Sequence, residues 1–364
     1  MKLKFTLAVW AIVQVAFAQD GAPASPYYNG FDFTQTGMPL KSALATKITT
    51  THTHELTYAQ AKSALKVTDL DPTDPTHTNL LLLYGFSPNT CPTSSSDDKD
   101  HRTRNTDMED DGTAASCLWN REHTFPKALG NPDLGTTGPG GDAHNLRACD
   151  KKRNADRDND KFFAGSGNSF ETGTNWYPGD EWKGDVARII MYMYLRYGTQ
   201  CLPTNVGVGS TVSTDNNMPE LFLQWNAEDP VSVYEDARNT YLGNANNTYG
   251  QGNRNPFIDN PYLATLIWGG PVAQNRWPFL GTQDLSWTQS VSVFPNPSNG
   301  IVNISSEIDV ENIKIFSVNG QLIQSFENPV FSNHVFSVGN LPKGFYLMQL
   351  KASGSEVVRK VIVN

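Results

Sequence analysis

The chain has 364 residues, more than one domain usually holds, and its 38% hydrophobic and 18% charged side chains are those of a soluble, folded protein. Its formal net charge is −9, and −11 once Lys2 and Lys4 are set aside, which leaves 26 basic against 37 acidic side chains. That balance excludes a protein that coats a polyanion with a broad basic surface, so any such site must be local.

In chain order, Lys2 and Lys4 precede an apolar run from Phe5 to Phe17, closed by the small-x-small triplet Ala16-Phe17-Ala18. This is the grammar of an export leader, expected to span 1–18, and the run is too short for a membrane span. No later stretch approaches spanning length, so a mature chain from Gln19 is expected to be soluble outside the cytoplasm. Thr57 to Leu65 predicts a short helix, and Asn79 to Tyr84 a buried strand. The loop from Ser94 to Gly112 gathers seven acids but lacks the order of a calcium loop, and reads first as solvated. Val186, Ile189, Ile190, Met193 and Tyr197 recur at helical spacing, which predicts a core-facing helix over 185–197. Asp229-Pro230 is expected to cap and open a further helix over 231–242.

Beyond about residue 282 the pattern changes to short alternating segments: 291–294, 301–304, 313–316, 345–350 and 357–363. Turn residues such as Pro295-Asn296-Pro297, Asn319-Gly320 and Lys343-Gly344 separate them. Short strands at this spacing predict an all-β sandwich over 286–364, behind a first domain over 19–285. The four cysteines, Cys91, Cys117, Cys149 and Cys201, permit three disulfide pairings if export oxidises them, or remain buried thiols. None forms a CxxC.

Chemistry concentrates in Trp119-Asn120-Arg121-Glu122-His123-Thr124-Phe125-Pro126, in Asp142-Ala143-His144-Asn145-Leu146, and in Asn154-Ala155-Asp156-Arg157-Asp158-Asn159. A carboxylate and an amide oxygen suit a hard cation that keeps several waters. An imidazole beside such an ion can take a proton from water near neutral pH. Eight basic residues lie between Arg121 and Lys161, but seven acids share the stretch, so charge alone marks no binding surface.

These stretches resemble the endonuclease I family of secreted or periplasmic nucleases, within the ββα-metal (His-Me finger) superfamily. Supporting matches are Lys183-Gly184-Asp185-Val186-Ala187-Arg188, Trp225 to Val231, and Gly252-Asn253-Arg254-Asn255-Pro256-Phe257. The resemblance implies an α+β protein: a mainly helical nuclease domain carrying a ββα-metal finger, followed by the all-β sandwich. It makes His123 the general base and Glu122 and Asn154 the ligands of Mg²⁺, or of another divalent ion such as Mn²⁺ or Ca²⁺. Arg157 contacts the phosphate or braces the finger helix, and His144 and Asn145 support the second strand. Family members carry an arginine between the two strands, but Thr124 to Gly141 holds only Lys127. Lys127, Arg121 or Arg147 is expected to contact substrate instead, although a lysine lacks the bidentate fork.

The implied activity is sequence-nonspecific hydrolysis of DNA, with RNA also admissible, leaving 5′-phosphate ends. The last residues resemble the sorting domain of type IX secretion substrates, through Val293 to Gly300, Ile313 to Gly320, Leu341 to Leu347 and the terminal Lys360-Val361-Ile362-Val363. They imply passage through the periplasm of a gram-negative bacterium and contact with that secretion machinery. A noncatalytic, surface-attached nucleic-acid-binding or adhesive protein is the alternative. The absence of HExxH and CxxC disfavours zinc peptidase and zinc deaminase chemistry.

Overall fold

The computed structural model describes residues 26–88, 99–112, 117–277, 291–306, 308–352 and 355–364. The expected leader, Cys91, the first part of the acidic loop and the expected boundary at 285 lie outside the described residues. The chain divides into two compact units between Arg276 and Trp277.

The first unit opens with α1 (Gly37–Thr51) and α2 (Tyr58–Thr68). The start of α2 is written locally: Thr57 Oγ1 accepts from the Gln60 amide, and the Gln60 side chain accepts from the Thr57 amide. This reciprocal cap satisfies donors that a helix start otherwise leaves bare. β1 (Asn79–Leu81) pairs antiparallel with β2 (Thr103–Asn105). The apolar run to Tyr84 predicts a longer strand, but the ladder stops after Leu81 and Tyr84 takes a left-handed φ of 72°.

β3 (Trp119–His123) and β4 (Leu146–Asp150) form an antiparallel pair, in register from Trp119 with Asp150 to His123 with Leu146. Helix α3 (Lys151–Arg157) follows β4 without an intervening residue. A small sheet of β5 (Lys161–Phe162), β6 (Phe170–Thr172) and β7 (Asn175–Tyr177) leads into α4 (Lys183–Tyr197). Then come α5 (Pro203–Val206), the pair β8 (Thr211–Val212) and β9 (Asp215–Pro219), and helices α6 (Glu220–Glu228), α7 (Val233–Gly243), α8 (Pro256–Asp259) and α9 (Tyr262–Trp268). Helices thus alternate with short strand pairs, a mixed body where a mainly helical one was expected.

The expected 185–197 helix forms as α4, and every residue from Gly184 to Leu195 is buried. A helix hidden on all sides is a core element, and α4 packs against α1 and α6. The next helix begins later than Asp229-Pro230 suggests. Ser232 accepts from the Glu235 amide and the Glu235 carboxylate accepts from the Ser232 amide, so this capping box sets the start of α7 at Val233. Asp229 instead ends α6, and its carboxylate accepts from the Gly184 amide at the start of α4.

The buried Arg238 of α7 joins three segments. Its guanidinium donates to Asp69 and Thr68 at the end of α2, to the Ala143 carbonyl, and to the Leu146 carbonyl at 2.5 Å. The α2 terminus and the start of β4 are therefore fixed to one cation.

The second unit is all β over its described residues. Its strands are β10 (Ser292–Phe294), β11 (Val302–Ser305), β12 (Asn312–Ser317), β13 (Leu322–Glu327), β14 (Val335–Val338), β15 (Gly344–Ala352) and β16 (Ser355–Val363). They form two antiparallel sheets, β10-β11-β14 and β13-β12-β15-β16. Alternate residues Val302, Ile304, Ile313, Ile315, Met348 and Leu350 meet in a shared apolar core. Strands β13 and β14 were not expected: Leu322 and Ile323 are both exposed, so β13 lacks the alternation that marks a half-buried strand.

Replacing Arg238 with Met should leave Asp69 with a weakened set of partners and cost about 3 kcal/mol. In a body of this size the melting temperature should fall by roughly 10 °C. A thermal scan with no shift would remove Arg238 from its joining role.

Candidate active site

β3 ends at His123 and β4 begins opposite it at Leu146, so the segment between them returns to the same edge of the pair. Asn145 closes that loop. Its Oδ1 accepts from the Phe125 amide at 2.7 Å and its Nδ2 donates to the Phe125 carbonyl at 3.2 Å. At the other end of β4, Asp150 caps α3 by accepting from the Lys152 and Arg153 amides. α3 then runs back alongside β3: Asn154 reaches Asn120 and Arg121, and Arg157 reaches His123 and Thr124.

Glu122 and His123, at the end of β3, thus lie on the strand that α3, which carries Asn154, packs against. Glu122 is 2% exposed. Its Oε1 accepts from the Tyr84 hydroxyl at 2.9 Å and lies 3.3 Å from Arg157 Nη1. Burial pushes the Glu122 carboxyl up to about 7, against the pull of Arg157 and Tyr84. Asn154 Nδ2 donates to Asn120 Oδ1 at 2.8 Å and to the Arg121 carbonyl at 3.2 Å, which fixes the amide plane. Glu122 Oε2 and Asn154 Oδ1 have no protein hydrogen bond among the described residues. Two such oxygens fit a hard divalent cation that keeps most of its waters. The described residues contain no group of three or more His, Cys, Asp or Glu side chains able to hold a metal.

His123 is half-buried, and its Nε2 lies 2.9 Å from the Gly140 carbonyl oxygen. A carbonyl can only accept, so the neutral ring carries its proton on Nε2 and offers a lone pair at Nδ1. Burial pushes the His123 pKa down to about 4; the Gly140 bond opposes this, and the charges of Arg121, Lys127 and Arg157 add to it. The imidazole is thus neutral near pH 7. Gly140 and Gly141 are confined by backbone. A Cβ at Gly140 would stand 2.1 Å from the Gly135 oxygen, and one at Gly141 2.2 Å from the Leu56 oxygen.

The remaining expected residues separate by environment. Arg157 is fully buried; it donates to the His123 carbonyl at 3.3 Å and the Thr124 carbonyl at 3.1 Å, and it lies over the Phe162 ring. That is the bracing geometry, with no guanidinium surface left for a phosphate. Arg147, expected to contact substrate, is 1% exposed and faces Asp185 at 2.9 Å and Asp69 at 3.5 Å. β4 is buried along its whole length, so Arg147 lies inside the protein, which corrects that expectation. Lys127 is partly exposed, 3.7 Å from Asp133. Arg121 is half-buried, stacks on Tyr58 and donates to the Tyr58 carbonyl at 2.5 Å. His144 is buried, with Nε2 3.0 Å from the Asn253 carbonyl and its ring against Tyr192.

Sequence reasoning missed Tyr84, Asn120, Gly140, Asp142 and Tyr58. Asn120 sat inside the motif and could have been read as the partner of a second amide. Tyr84 is 38 residues from Glu122, and nothing local marks it. Asp142 accepts from the hydroxyls of Tyr192 and Tyr197 at 2.7 and 2.8 Å, from Gln251 at 2.8 Å and from the His144 amide at 2.8 Å. It therefore pins the loop just past Gly140. Cys117 is disulfide-bonded, whereas Cys149 and Cys201 are buried free thiols.

A buried carboxylate, an amide held in plane and a neutral imidazole thus lie on one strand pair and the helix that follows it. Residues 36–262 match the Endonuclease I family, and the chain belongs to it: it is a nuclease, a hydrolase of phosphodiester bonds. The chain is 36% identical over 264 residues to an extracellular ribonuclease of Bacillus subtilis (strain 168), covering 68% of this chain and 82% of that protein. It is 37% identical over 246 residues to an extracellular ribonuclease of Bacillus amyloliquefaciens, covering 64% and 75%. Residues 292–364 match the secretion system C-terminal sorting domain, so the protein is a type IX export substrate, secreted or held at the cell surface. The noncatalytic adhesive alternative is thereby set aside. No helix among the described residues is long and apolar enough to cross a membrane.

Burial raises the Asp142 carboxyl, but His52, His144, Gln251 and Tyr192 more than offset it and hold the pKa down at about 2. A depressed carboxyl contributes stability above its unfolded pKa of 3.8 and loses it as pH falls through about 2. Asp142→Asn should thus cost about 2 kcal/mol at pH 7. Melting curves of the two proteins should converge between pH 4 and 2; a gap unchanged at pH 2 would show that charge is not its contribution.

Proposed function

We propose that residues 26–276 form a metal-dependent, sequence-nonspecific endonuclease with His123 as general base and β3, β4 and α3 as its ββα-metal finger. One observation carries this reading. The Gly140 carbonyl takes the Nε2 proton of His123, which leaves Nδ1 unprotonated on a ring kept neutral.

Glu122 and Asn154 would hold a divalent ion, Mg²⁺ first and Mn²⁺ or Ca²⁺ as alternatives. Bound there, such an ion offsets charge on the phosphate and on the departing 3′ oxygen. Tyr84 and Arg157 keep Glu122 in place, and Asn120 keeps the Asn154 amide turned so that its oxygen is free. His123 takes a proton from water through Nδ1 as the water attacks in line, and the Gly140 carbonyl steadies the Nε2 proton while the ring gains charge. Cleavage then leaves a 5′-phosphate, and the departing 3′ oxygen takes a proton from solvent water to become a 3′-hydroxyl.

Arg121 and Lys127 would contact the substrate phosphate, a reading supported by their effect on His123 and by neither being fully buried. Contacts to backbone phosphate carry no base information, so cleavage is sequence-blind. Water as nucleophile needs no 2′-hydroxyl, so the site accepts DNA as well as RNA, and the names of the two Bacillus relatives favour RNA as one substrate. The sorting domain delivers this activity to the exterior through the type IX machinery.

His123→Ala in the exported protein should lower turnover by about 10³-fold while nucleic-acid binding persists. EDTA should abolish cleavage, and Glu122→Gln or Asn154→Ala should raise the Mg²⁺ concentration needed for half-maximal rate. Near-normal turnover by His123→Ala would end the assignment. On RNA and on DNA oligonucleotides the products should carry 5′-phosphates; 2′,3′-cyclic phosphates from RNA with DNA left intact would instead require attack by the 2′-hydroxyl.

A further inference from the structure

We infer that Tyr58 is a positioning residue for the reaction, its ring holding the face of the His123 imidazole while Gly140 holds its edge. The inference rests on the reading of His123 as base. The two rings are stacked, with centroids 5.3 Å apart and planes only 10° from parallel. A single hydrogen bond from Nε2 to Gly140 fixes one ring atom but leaves the imidazole free to swing about that contact. A flat surface against the ring removes that freedom, and Nδ1 then keeps one direction.

Tyr58 is suited to this by where it stands. It is the first residue of α2, so the Thr57–Gln60 capping box fixes its backbone. Its amide donates to the Thr136 carbonyl at 3.2 Å, within the segment that also carries Gly140. Gly141 packs against Leu56, two residues before Tyr58, so closely that no side chain fits between them. The face and the edge of the imidazole are thus held by two segments that are themselves fastened together. The ring also packs on the apolar cluster of Ala61, Leu65, Leu80 and Trp119. The Arg121 guanidinium lies 3.5 Å from the Tyr58 ring centroid, with Nη1 bonded to the Tyr58 carbonyl. No hydrogen bond engages the Tyr58 hydroxyl among the described residues. The working part is therefore the aromatic face.

The test is steady-state cleavage of a DNA oligonucleotide with Mg²⁺ by the wild-type chain and by Tyr58→Phe, Tyr58→Leu and Tyr58→Met, at a temperature below every melting point. Phe keeps the face and should stay within about 2-fold of wild-type kcat, whereas Leu and Met keep bulk without the face and should lose about 10- to 100-fold in kcat. KM should change less than about 3-fold, because Arg121 keeps its bond to the Tyr58 backbone carbonyl in every variant. Normal kcat in both Leu and Met would overturn the inference. So would a tenfold loss in Phe, which would move the role to the hydroxyl, or an effect confined to KM, which would move it to Arg121. His123→Ala is run alongside: if it remains active the base assignment fails, and if it is inactive while Leu and Met are normal, only the role of Tyr58 fails.

Discussion

Arg157 carries its charge in a place with no solvent exposure, and it can do so because four oxygens surround it. The His123, Thr124 and Asp158 carbonyls accept from it, and the Glu122 carboxylate stands 3.3 Å away. Remove the guanidinium and the consequences spread. The end of β3 would lose its tie to the last turn of α3, and Glu122 would be a buried carboxyl without a counter-charge, further from ionising than it already is. Breaking a buried pair by deleting one partner costs far more than an exposed pair contributes. This contact holds the last turn of α3 against the end of β3, where Glu122 and His123 stand.

The same logic recurs around it. Arg104 faces Asp150, Arg147 faces Asp185, Arg188 faces Glu235 and Arg238 faces Asp69, all of them buried. Arginine suits this use because its planar fork satisfies several acceptors from one position. Of the eight basic residues between Arg121 and Lys161, the three arginines Arg147, Arg153 and Arg157 are likewise buried. An acidic protein can act on a polyanion under these conditions, because the cations left near His123 are few and local.

The sequence motif made the chemistry of the site legible and its organisation only partly so. Glu122, His123 and Asn154 could be picked out because their motifs resemble those of the endonuclease I family; two lie in β3 and the third is at the middle of α3. Arg147 and Arg157 looked equally available, since a linear string does not show that every residue of β4 is buried or that the last turn of α3 packs on the end of β3. Tyr84 and Tyr58 come from segments 38 and 65 residues away from the side chains they touch, with only their own local patterns to mark them. The start of α7 was misplaced for a related reason: Asp229-Pro230 and Ser232-x-x-Glu235 are both valid opening signals, and Asp229 is already committed to the Gly184 amide.

What the sequence by itself determined is whatever depends on short-range order. Helical spacing fixed α4, the Thr57–Gln60 box fixed the start of α2, and alternation fixed the strands of the second unit that have one buried face. The resemblance to the endonuclease I family singled out a carboxylate, an amide and an imidazole as candidates. Only the tertiary structure decided which ring nitrogen of His123 is free, because the carbonyl that claims Nε2 belongs to Gly140, on the far side of a loop. It also decided which arginines are spent on the fold. Both depend on the local field and solvent exposure of a group, which are set by residues distant in the chain.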